Sequence, residues 1–400
     1  MSMFMLLLAA LALCSRSSAF SAEIEPQLAG AESCAQSGEV DDDAASLLSV
    51  SVLSMRNTKA SIKASQAKPP ESFCEQGRML PSLYLLGAQK AATTSLSSDF
   101  VKAGVRAAVE SEEQIPESDK EFGFWEKEFR FWDLHEVELS KVSALRDEWM
   151  STLPSCDQQV VADFSPSNLR KTPLPKGTMP TGNHYSQFIN VSQHNISLAS
   201  FLPSLYGQTL ASKLVFVVLL REPVSRMQSA YYHGLELYRL HGLKRVCVDC
   251  NGANFSDALG NSLATAKTTG QIHDWMWESM YGYHFDDWFK HFSPDQFAVI
   301  PYHLYTHAGA GDICKYVSSR LGTDMVCHKE LAPHANSHSH PPLDEDAPAS
   351  LLAKARDYFA ADKDRLAKVL SEASSRGAFL PGLAAHASVQ AVADWLDQNW

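Results

Sequence analysis

The feature that most constrains the fold is an unbroken apolar run, LVFVVLL, at residues 214–220, which lies between Lys213 and Arg221. Seven apolar residues, three of them valine, are too short for a typical buried helix and are typical of a strand covered on both faces. Such strands belong to parallel sheets, whose neighbouring strands are joined by crossover helices. The run therefore predicts an interior strand of a parallel sheet.

Three further short runs support this fold class. They lie at residues 82–86, 160–163 and 297–301, and each is apolar or rich in β-branched residues. The last follows an aromatic helix predicted over residues 281–292, whose aromatic series is typical of a core face. Strands that alternate with helices predict an α/β fold with a central parallel sheet flanked by helices.

Composition divides the chain into three parts. Residues 1–22 combine a short apolar stretch with small residues that suit cleavage, which predicts a signal peptide or a short signal anchor. Residues 23–80 are rich in Ala, Ser, Glu and Asp, which predicts a flexible low-complexity stem with at most a short helix near residues 44–55. Residues 81–400 are predicted to be the folded domain. Because no run of 18 apolar residues exists, a membrane tether is expected only through the N-terminal segment.

Sequons and cysteines bear on the compartment. Asn190, Asn195 and Asn254 each begin an Asn-x-Ser sequon, which favours a glycoprotein of the secretory pathway. Removal of Cys14 with a signal peptide would leave seven cysteines, so at least one would have no partner within the chain.

The charge balance argues against one class of partner. The chain has 34 Lys and Arg against 46 Asp and Glu, a net charge of −12. Residues 81–400 hold 37 acidic and 28 basic side chains, so the predicted folded domain is itself acidic. Broad nucleic-acid binding needs a basic surface, and no nucleic-acid partner is expected. A local basic pocket is compatible with this balance.

The first strand runs directly into a turn of small residues and then into a helical pattern. Such a turn presents backbone N–H groups and a helix N-terminus to an anion, while Lys90 adds a positive charge. It is not a Walker A loop, because Lys90 lies three residues after a single glycine. The alternative is an ordinary turn with an exposed lysine. The residues of this candidate phosphate site are Lys90, Ala91, Ala92, Thr93, Thr94 and Ser95.

A second candidate follows the run at residues 214–220. Arg221 lies at the carboxyl end of a predicted strand, where open α/β sheets bind ligands, and Pro223 suits the first turn of a helix. Ser229 follows about two turns later, so Arg221 and Ser229 could hold a nucleotide phosphate together. The alternative is an arginine paired within a loop and a serine that faces solvent.

Together, these two segments resemble the 5′- and 3′-phosphosulfate-binding motifs of sulfotransferases. The resemblance is closest to the Golgi-type carbohydrate enzymes related to heparan sulfate 3-O-sulfotransferases and N-sulfotransferases. The sequence KEFGFW at residues 120–125 resembles that family's segment with the catalytic glutamate, and DFSPS at residues 163–167 resembles its Glu-Lys-Ser-Pro strand end. The resemblance spans roughly residues 81–375 and implies the P-loop-NTPase-like sulfotransferase fold.

The resemblance also implies a chemistry and a compartment. The co-substrate would be 3′-phosphoadenosine 5′-phosphosulfate (PAPS), with Lys90 neutralising the leaving phosphate oxygen and no metal required. Glu121 would act as general base on the hydroxyl or amine of a glycan or other acceptor. The enzyme would work in the Golgi lumen or be secreted, and a disulfide between Cys314 and Cys327 is implied ahead of the final cofactor loop.

Several residues depart from the family pattern. Gly123 replaces a histidine, Asn168 stands where a tyrosine is usual, and Asn336, Ser337 and His338 replace Lys-Gly-Arg in the final cofactor loop. Two alternatives therefore stay open. One is a sulfotransferase for a non-carbohydrate acceptor, such as a tyrosine or a small molecule. The other is a catalytically silent member that binds only nucleotide or glycan.

Two further groups have competing interpretations. Cys247 and Cys250 could form a redox pair or half of a metal site, but a surface disulfide or two separate bridges is the better interpretation. His334, His338 and His340 could capture a metal, although a loop beside the cofactor explains them better.

Overall fold

The computed structural model describes residues 73–108, 131–134, 142–156, 160–175, 179–181, 196–242, 254–328 and 340–400. The strands are β1 (Cys74–Glu75), β2 (Arg78–Met79), β3 (Leu83–Gly87), β4 (Arg106–Ala107), β5 (Val161–Asp163), β6 (Met179–Thr181), β7 (Val215–Leu220), β8 (Gln271–His273) and β9 (Phe297–Pro301). The helices are α1 (Thr93–Lys102), α2 (Phe131–Leu134), α3 (Val142–Thr152), α4 (Leu198–Ala211), α5 (Pro223–His241), α6 (Phe255–Thr269), α7 (Asp274–Trp277), α8 (Tyr281–His291), α9 (Tyr302–Ala308), α10 (Gly311–Leu321), α11 (Leu343–Asp346), α12 (Ala349–Ser375) and α13 (Val389–Asn399).

Five of the strands form one parallel sheet, in the order β4-β5-β3-β7-β9. Helices flank this sheet, so the predicted α/β fold class is confirmed. All four strands that the sequence predicts are present, and each begins and ends within one residue of the predicted bounds. Because the strands are parallel, their carboxyl ends meet at one edge of the sheet, which is where the candidate site lies.

Strand β7 is the centre of the hydrophobic core. Every residue from Val215 to Leu220 is fully buried, as expected for a strand covered on both faces. The Phe216 ring lies 5.3 Å from Trp288 and 4.6 Å from Phe292, measured between ring centroids. The aromatic face of α8 therefore packs against the sheet, which confirms its interpretation as core.

Helix α5 follows β7 and carries several of the candidate residues. The Glu222 carboxylate accepts a hydrogen bond of 2.6 Å from the Ser225 backbone N–H at the start of the helix, and Gly242 ends it in the left-handed conformation. Val224, Met227 and Tyr231 are buried on one face, in a second apolar cluster that also contains side chains from α6, α7 and α12. This packing fixes the helix relative to the sheet.

The described fold includes residues 73–80, which the composition of the sequence assigns to the stem. Phe73, Met79 and Leu80 are buried in the core, and a disulfide joins Cys74 to Cys156. Three apolar side chains are too few to change the average composition of the preceding polar segment, so composition alone places the boundary later. Residues 1–72, including the predicted signal and helix 44–55, lie outside the described residues.

A second disulfide joins Cys314 to Cys327, as the sequence resemblance implies. In the part of the chain that the structure describes, we find no helix with the length and hydropathy needed to cross a membrane.

Candidate functional site

The candidate site lies where β3, β7 and β5 end, and it begins with the loop at residues 88–92, here called the cradle loop. The Ala88 N–H donates to the Leu219 carbonyl over 2.7 Å, and the Ala91 N–H donates to the Ala88 carbonyl over 3.1 Å. Lys90 and Ala92 both have φ of 68°, in the left-handed region. Helix α1 begins at the next residue, Thr93, so the cradle loop leads directly into the N-terminus of α1.

Three hydroxyl residues at the start of α1 complete the first predicted motif. Thr93 and Ser95 are buried, with 4% and 2% exposure, and Thr94 is half-buried. The N-cap residue Ala92 has no polar side chain to satisfy the first backbone N–H groups of the helix. A helix N-terminus of this kind favours a bound anion.

Arg221 connects the second predicted motif to the first. Its Nη1 donates to the Lys90 carbonyl over 3.1 Å, and its guanidinium carbon lies 4.9 Å from the centroid of the Tyr302 ring. The Tyr281 hydroxyl donates to the Arg221 carbonyl over 2.9 Å. Burial lowers the pKa of Arg221, and the hydroxyl oxygens of Tyr302 and Tyr281 act against that effect. The structure therefore brings the predicted residues Lys90 and Arg221 together.

Ser229 lies on α5, about 9 Å along the helix axis from Pro223. It is 8% exposed, and its neighbours anchor another segment of the chain. The Gln228 side chain donates to Asp346 Oδ2 over 2.7 Å, and the Tyr232 hydroxyl donates to Asp346 Oδ1 over 2.9 Å. Asp346, which follows the final predicted cofactor loop, is therefore bonded to α5 by one residue before Ser229 and by one residue after it.

The turn after β5 forms the third side of the candidate site. Asp163 Oδ1 accepts from the Ser165 backbone N–H over 2.9 Å, and its Oδ2 accepts from the Asn168 amide over 3.1 Å. Burial raises the pKa of Asp163 to about 6, while its hydrogen bonds oppose that rise. Asn168, a departure from the family pattern, therefore stabilises the fold of this turn.

The structure also places residues at the site that the sequence analysis did not single out. Arg226 is fully buried, and its Nη1 lies 2.8 Å from Glu278 Oε2 and 3.4 Å from the Gln89 carbonyl. Glu278 also pairs with Arg170 in the turn after β5. Arg226 appears in the second motif, but nothing local predicts its pairing with a carboxylate 52 residues away.

Several predicted residues lie outside the described part of the chain. They include Glu121 and its neighbours in the segment 120–125, the final-loop residues Asn336, Ser337 and His338, and the pair Cys247 and Cys250. Among the described residues, no group of three or more His, Cys, Asp and Glu side chains is placed to hold a metal ion.

Comparisons with known proteins find similarity among solved structures. No family model matches the chain, and no curated protein matches it. The structure is similar to that of a sulfotransferase from Alicyclobacillus acidocaldarius, with 16% sequence identity and a TM-score of 0.40, over 72% of this chain and 95% of that chain. Similarity at this level does not identify an activity.

Proposed function

We propose that the chain is a PAPS-dependent sulfotransferase that modifies a hydroxyl or amine of a carbohydrate in the Golgi lumen. The observation that carries the proposal is the hydrogen bond from Arg221 to the Lys90 carbonyl. It joins the two segments whose sequences resemble phosphosulfate-binding motifs, at the carboxyl edge of a parallel sheet. Because β3 and β7 are neighbouring parallel strands, the loops that follow them meet at this edge, and the bond brings the two cationic residues into one site.

The chemistry of the donor groups fits a polyanionic nucleotide. Lys90 and Arg221 are cationic, the hydroxyls of Thr93, Thr94 and Ser95 can donate hydrogen bonds, and residues 87–95 contain no carboxylate. The N-terminus of α1 adds backbone donors and the positive end of the helix dipole. Lys90 and the start of α1 would hold the 5′-phosphosulfate, while Arg221 and Ser229 would hold the 3′-phosphate.

When bound, PAPS supplies the sulfuryl group. Lys90 provides positive charge where the leaving phosphate oxygen becomes negative, which is an electrostatic contribution to catalysis. Glu121 would accept the proton of the attacking hydroxyl or amine. Its role rests on the sequence resemblance of residues 120–125, because Glu121 lies outside the described residues.

The charge of the predicted folded domain bears on the acceptor. Residues 81–400 carry a net negative charge, which disfavours a strongly polyanionic acceptor unless positive charge is concentrated at the site. Transfer of radiolabelled sulfate from PAPS to a panel of neutral glycans, amino sugars, tyrosine peptides and small phenols tests the acceptor class. Labelling of a tyrosine peptide or a phenol alone would replace the carbohydrate assignment, and nucleotide binding without any transfer would indicate a silent member.

Replacement of the proposed base tests catalysis directly. Glu121→Gln keeps nearly the same shape but cannot accept a proton, so turnover should fall by about two or more orders of magnitude while nucleotide affinity stays unchanged. Steady-state rates and a melting curve on the same preparation separate loss of catalysis from loss of folding. Turnover close to wild type would assign the base to another residue, with the half-buried His233 on α5 as the first candidate.

A further inference from the structure

Arg226 is a buried cation that the proposed mechanism does not use. Its side chain has no exposed surface, and every polar atom of the guanidinium is bound. Nε donates to the Ser279 hydroxyl over 2.7 Å, Nη2 donates to the Trp275 carbonyl, and Nη1 lies within reach of both Glu278 and the Gln89 carbonyl. The planar guanidinium can hold this many partners in fixed directions, which a lysine ammonium cannot do.

The partners of Arg226 belong to separate parts of the fold. Gln89 lies in the cradle loop after β3, and Glu278 follows α7. Through its second carboxylate oxygen, Glu278 also binds Arg170, in the turn after β5. Arg226 itself lies on α5, after β7. One connected group of charged side chains thus links the segments that follow three neighbouring strands of the sheet.

The backbone of the cradle loop shows what this group controls. Lys90 and Ala92 have left-handed φ values of 68°, which non-glycine residues adopt only when the surrounding structure imposes them. The carbonyls of Gln89 and Lys90 are both bonded by guanidinium groups, of Arg226 and Arg221 respectively. Left-handed residues within such a turn direct backbone N–H groups toward one concave side, which is an anion-binding arrangement.

We propose that Arg226, oriented by Glu278, is a positioning residue that holds the cradle loop in its anion-binding conformation. The identity of the anion, a phosphate of the nucleotide, rests on the proposed function. The positioning itself rests on the contacts of Arg226 with Gln89 and Glu278. Stability alone does not require a charged group buried this completely, because apolar side chains of similar volume often stabilise a core at least as well as a buried ion pair.

Arg226 lies among charged groups of both signs. Arg170 and Arg226 share the carboxylate of Glu278, and the charges of Arg221 and Asp274 also act on Arg226, with opposite signs. Burial lowers the pKa of Arg226 to about 10, which leaves it protonated at neutral pH. Arg226 therefore keeps its charge, and its bonds to Glu278 and the Gln89 carbonyl, at neutral pH.

The test compares Arg226→Lys with Arg146→Lys. Arg146 makes bonds of the same kind far from the loop in sequence, since its Nε donates to the Leu205 carbonyl over 2.9 Å and its Nη2 lies 2.5 Å from Glu75. Each substitution keeps the charge and removes the guanidinium geometry. Hydrogen exchange at the Ala88 and Ala91 amides reports on the cradle loop, and exchange at the Val215 amide, bonded to the Ser82 carbonyl, reports on the sheet.

Arg226→Lys should accelerate exchange at Ala88 and Ala91 about tenfold or more relative to Val215, and it should weaken binding of 3′-phosphoadenosine 5′-phosphate by roughly tenfold to a hundredfold. Arg146→Lys should change neither the ratio of exchange rates nor the affinity for the nucleotide. If Arg226→Lys does not fold, Glu278→Gln serves in its place, because it removes the charge that orients Arg226 and should move both readouts in the same direction.

Two outcomes separate this proposal from the proposed function. Loop exchange and nucleotide affinity equal to wild type in the folded variant would overturn the positioning role. Failure of the wild-type protein to bind the nucleotide would overturn the proposed function, and the exchange ratio would then decide the positioning role by itself.

Discussion

Gly87, at the end of β3, allows the turn after β5 to approach the cradle loop. A Cβ atom at this position would lie 2.8 Å from the Pro166 carbonyl oxygen and 3.1 Å from Leu169 Cβ. The first contact is shorter than real Cβ atoms make, and it involves backbone that cannot rotate away. Gly87 is therefore required where two sides of the candidate site meet.

Substitution of Gly87 tests this close approach. Gly87→Ala should lower the free energy of unfolding by about 1–3 kcal/mol, because the added methyl group must displace the turn at Pro166. Gly260→Ala is the matched control, since Gly260 lies within α6 with no atom near the added Cβ. That change should stabilise the protein by about 0.5–1 kcal/mol, as alanine favours a helix. Urea unfolding curves compare the two, and equal midpoints would contradict the account.

The elements around the site meet at His284, on α8. Its Nδ1 lies 2.8 Å from the Thr172 hydroxyl after β5, and its Nε2 lies 2.9 Å from the Trp277 carbonyl of α7. Because a carbonyl can only accept, Nε2 carries the proton and Nδ1 accepts from Thr172. Burial lowers the pKa of His284 to about 3, with the charges of Arg170 and Arg226 adding to the effect.

This shift predicts a loss of stability in acid. The unfolded chain takes up a proton at His284 below about pH 6.5, whereas the folded protein does not, so the free energy of unfolding falls as the pH is lowered. Between pH 7 and pH 5 the loss from this residue should be about 2 kcal/mol. The variant His284→Gln removes this loss. Asp163 and Asp362 have raised pKa values that act in the opposite direction. Because both residues are present in the wild type and in the variant, their effect cancels in the difference between the two proteins. If the difference in free energy of unfolding between wild type and variant did not change with pH, the result would contradict this prediction.

At the scale of elements, the sequence predicts the strands whose residues are apolar throughout. The run at β7 and the runs at β3, β5 and β9 are predictable, because burial on both faces selects apolar residues throughout a strand. Strand β4 and the parallel pair β6 and β8 are not, since two or three residues form a strand only through their partners.

The candidate site divides in the same way. That Lys90 and Arg221 lie near each other follows from the sequence, because each comes within three residues of the end of a predictable strand, while their role in binding stays a prediction. The contacts of Arg226 with Glu278 and Gln89 were not predictable, because they depend on which segments the fold brings together. The proposed base Glu121 stays a prediction from sequence.

At the scale of the whole molecule, two disulfides among the described residues close loops of very different length. Cys74 and Cys156 are 82 residues apart, and Cys314 and Cys327 are 13 apart. On a chain-entropy model the first bridge should contribute about 4.5 kcal/mol and the second about 3 kcal/mol. The first joins the segment before the sheet to the segment between α3 and β5, so the loop it closes contains strands β1 to β4 and helices α1 to α3.

Paired serine variants test this ranking. Cys74→Ser with Cys156→Ser should lower the melting temperature more than Cys314→Ser with Cys327→Ser, because the longer loop gains more entropy when it is released. Peptide mapping without reductant should recover both bridges from the wild-type protein. A larger loss from the shorter loop would show that local packing near Cys314, rather than chain entropy, sets the contribution.

The central claim is that the cradle loop and Arg221 form one nucleotide site. Calorimetric titration of 3′-phosphoadenosine 5′-phosphate into the wild-type protein, Arg221→Ala and Arg146→Ala tests it most directly. We expect one site in the wild type, a loss of affinity of about tenfold or more in Arg221→Ala because a charge-assisted contact to phosphate is removed, and unchanged affinity in Arg146→Ala. Absence of binding in the wild type, or equal affinity in wild type and Arg221→Ala, would contradict the assignment.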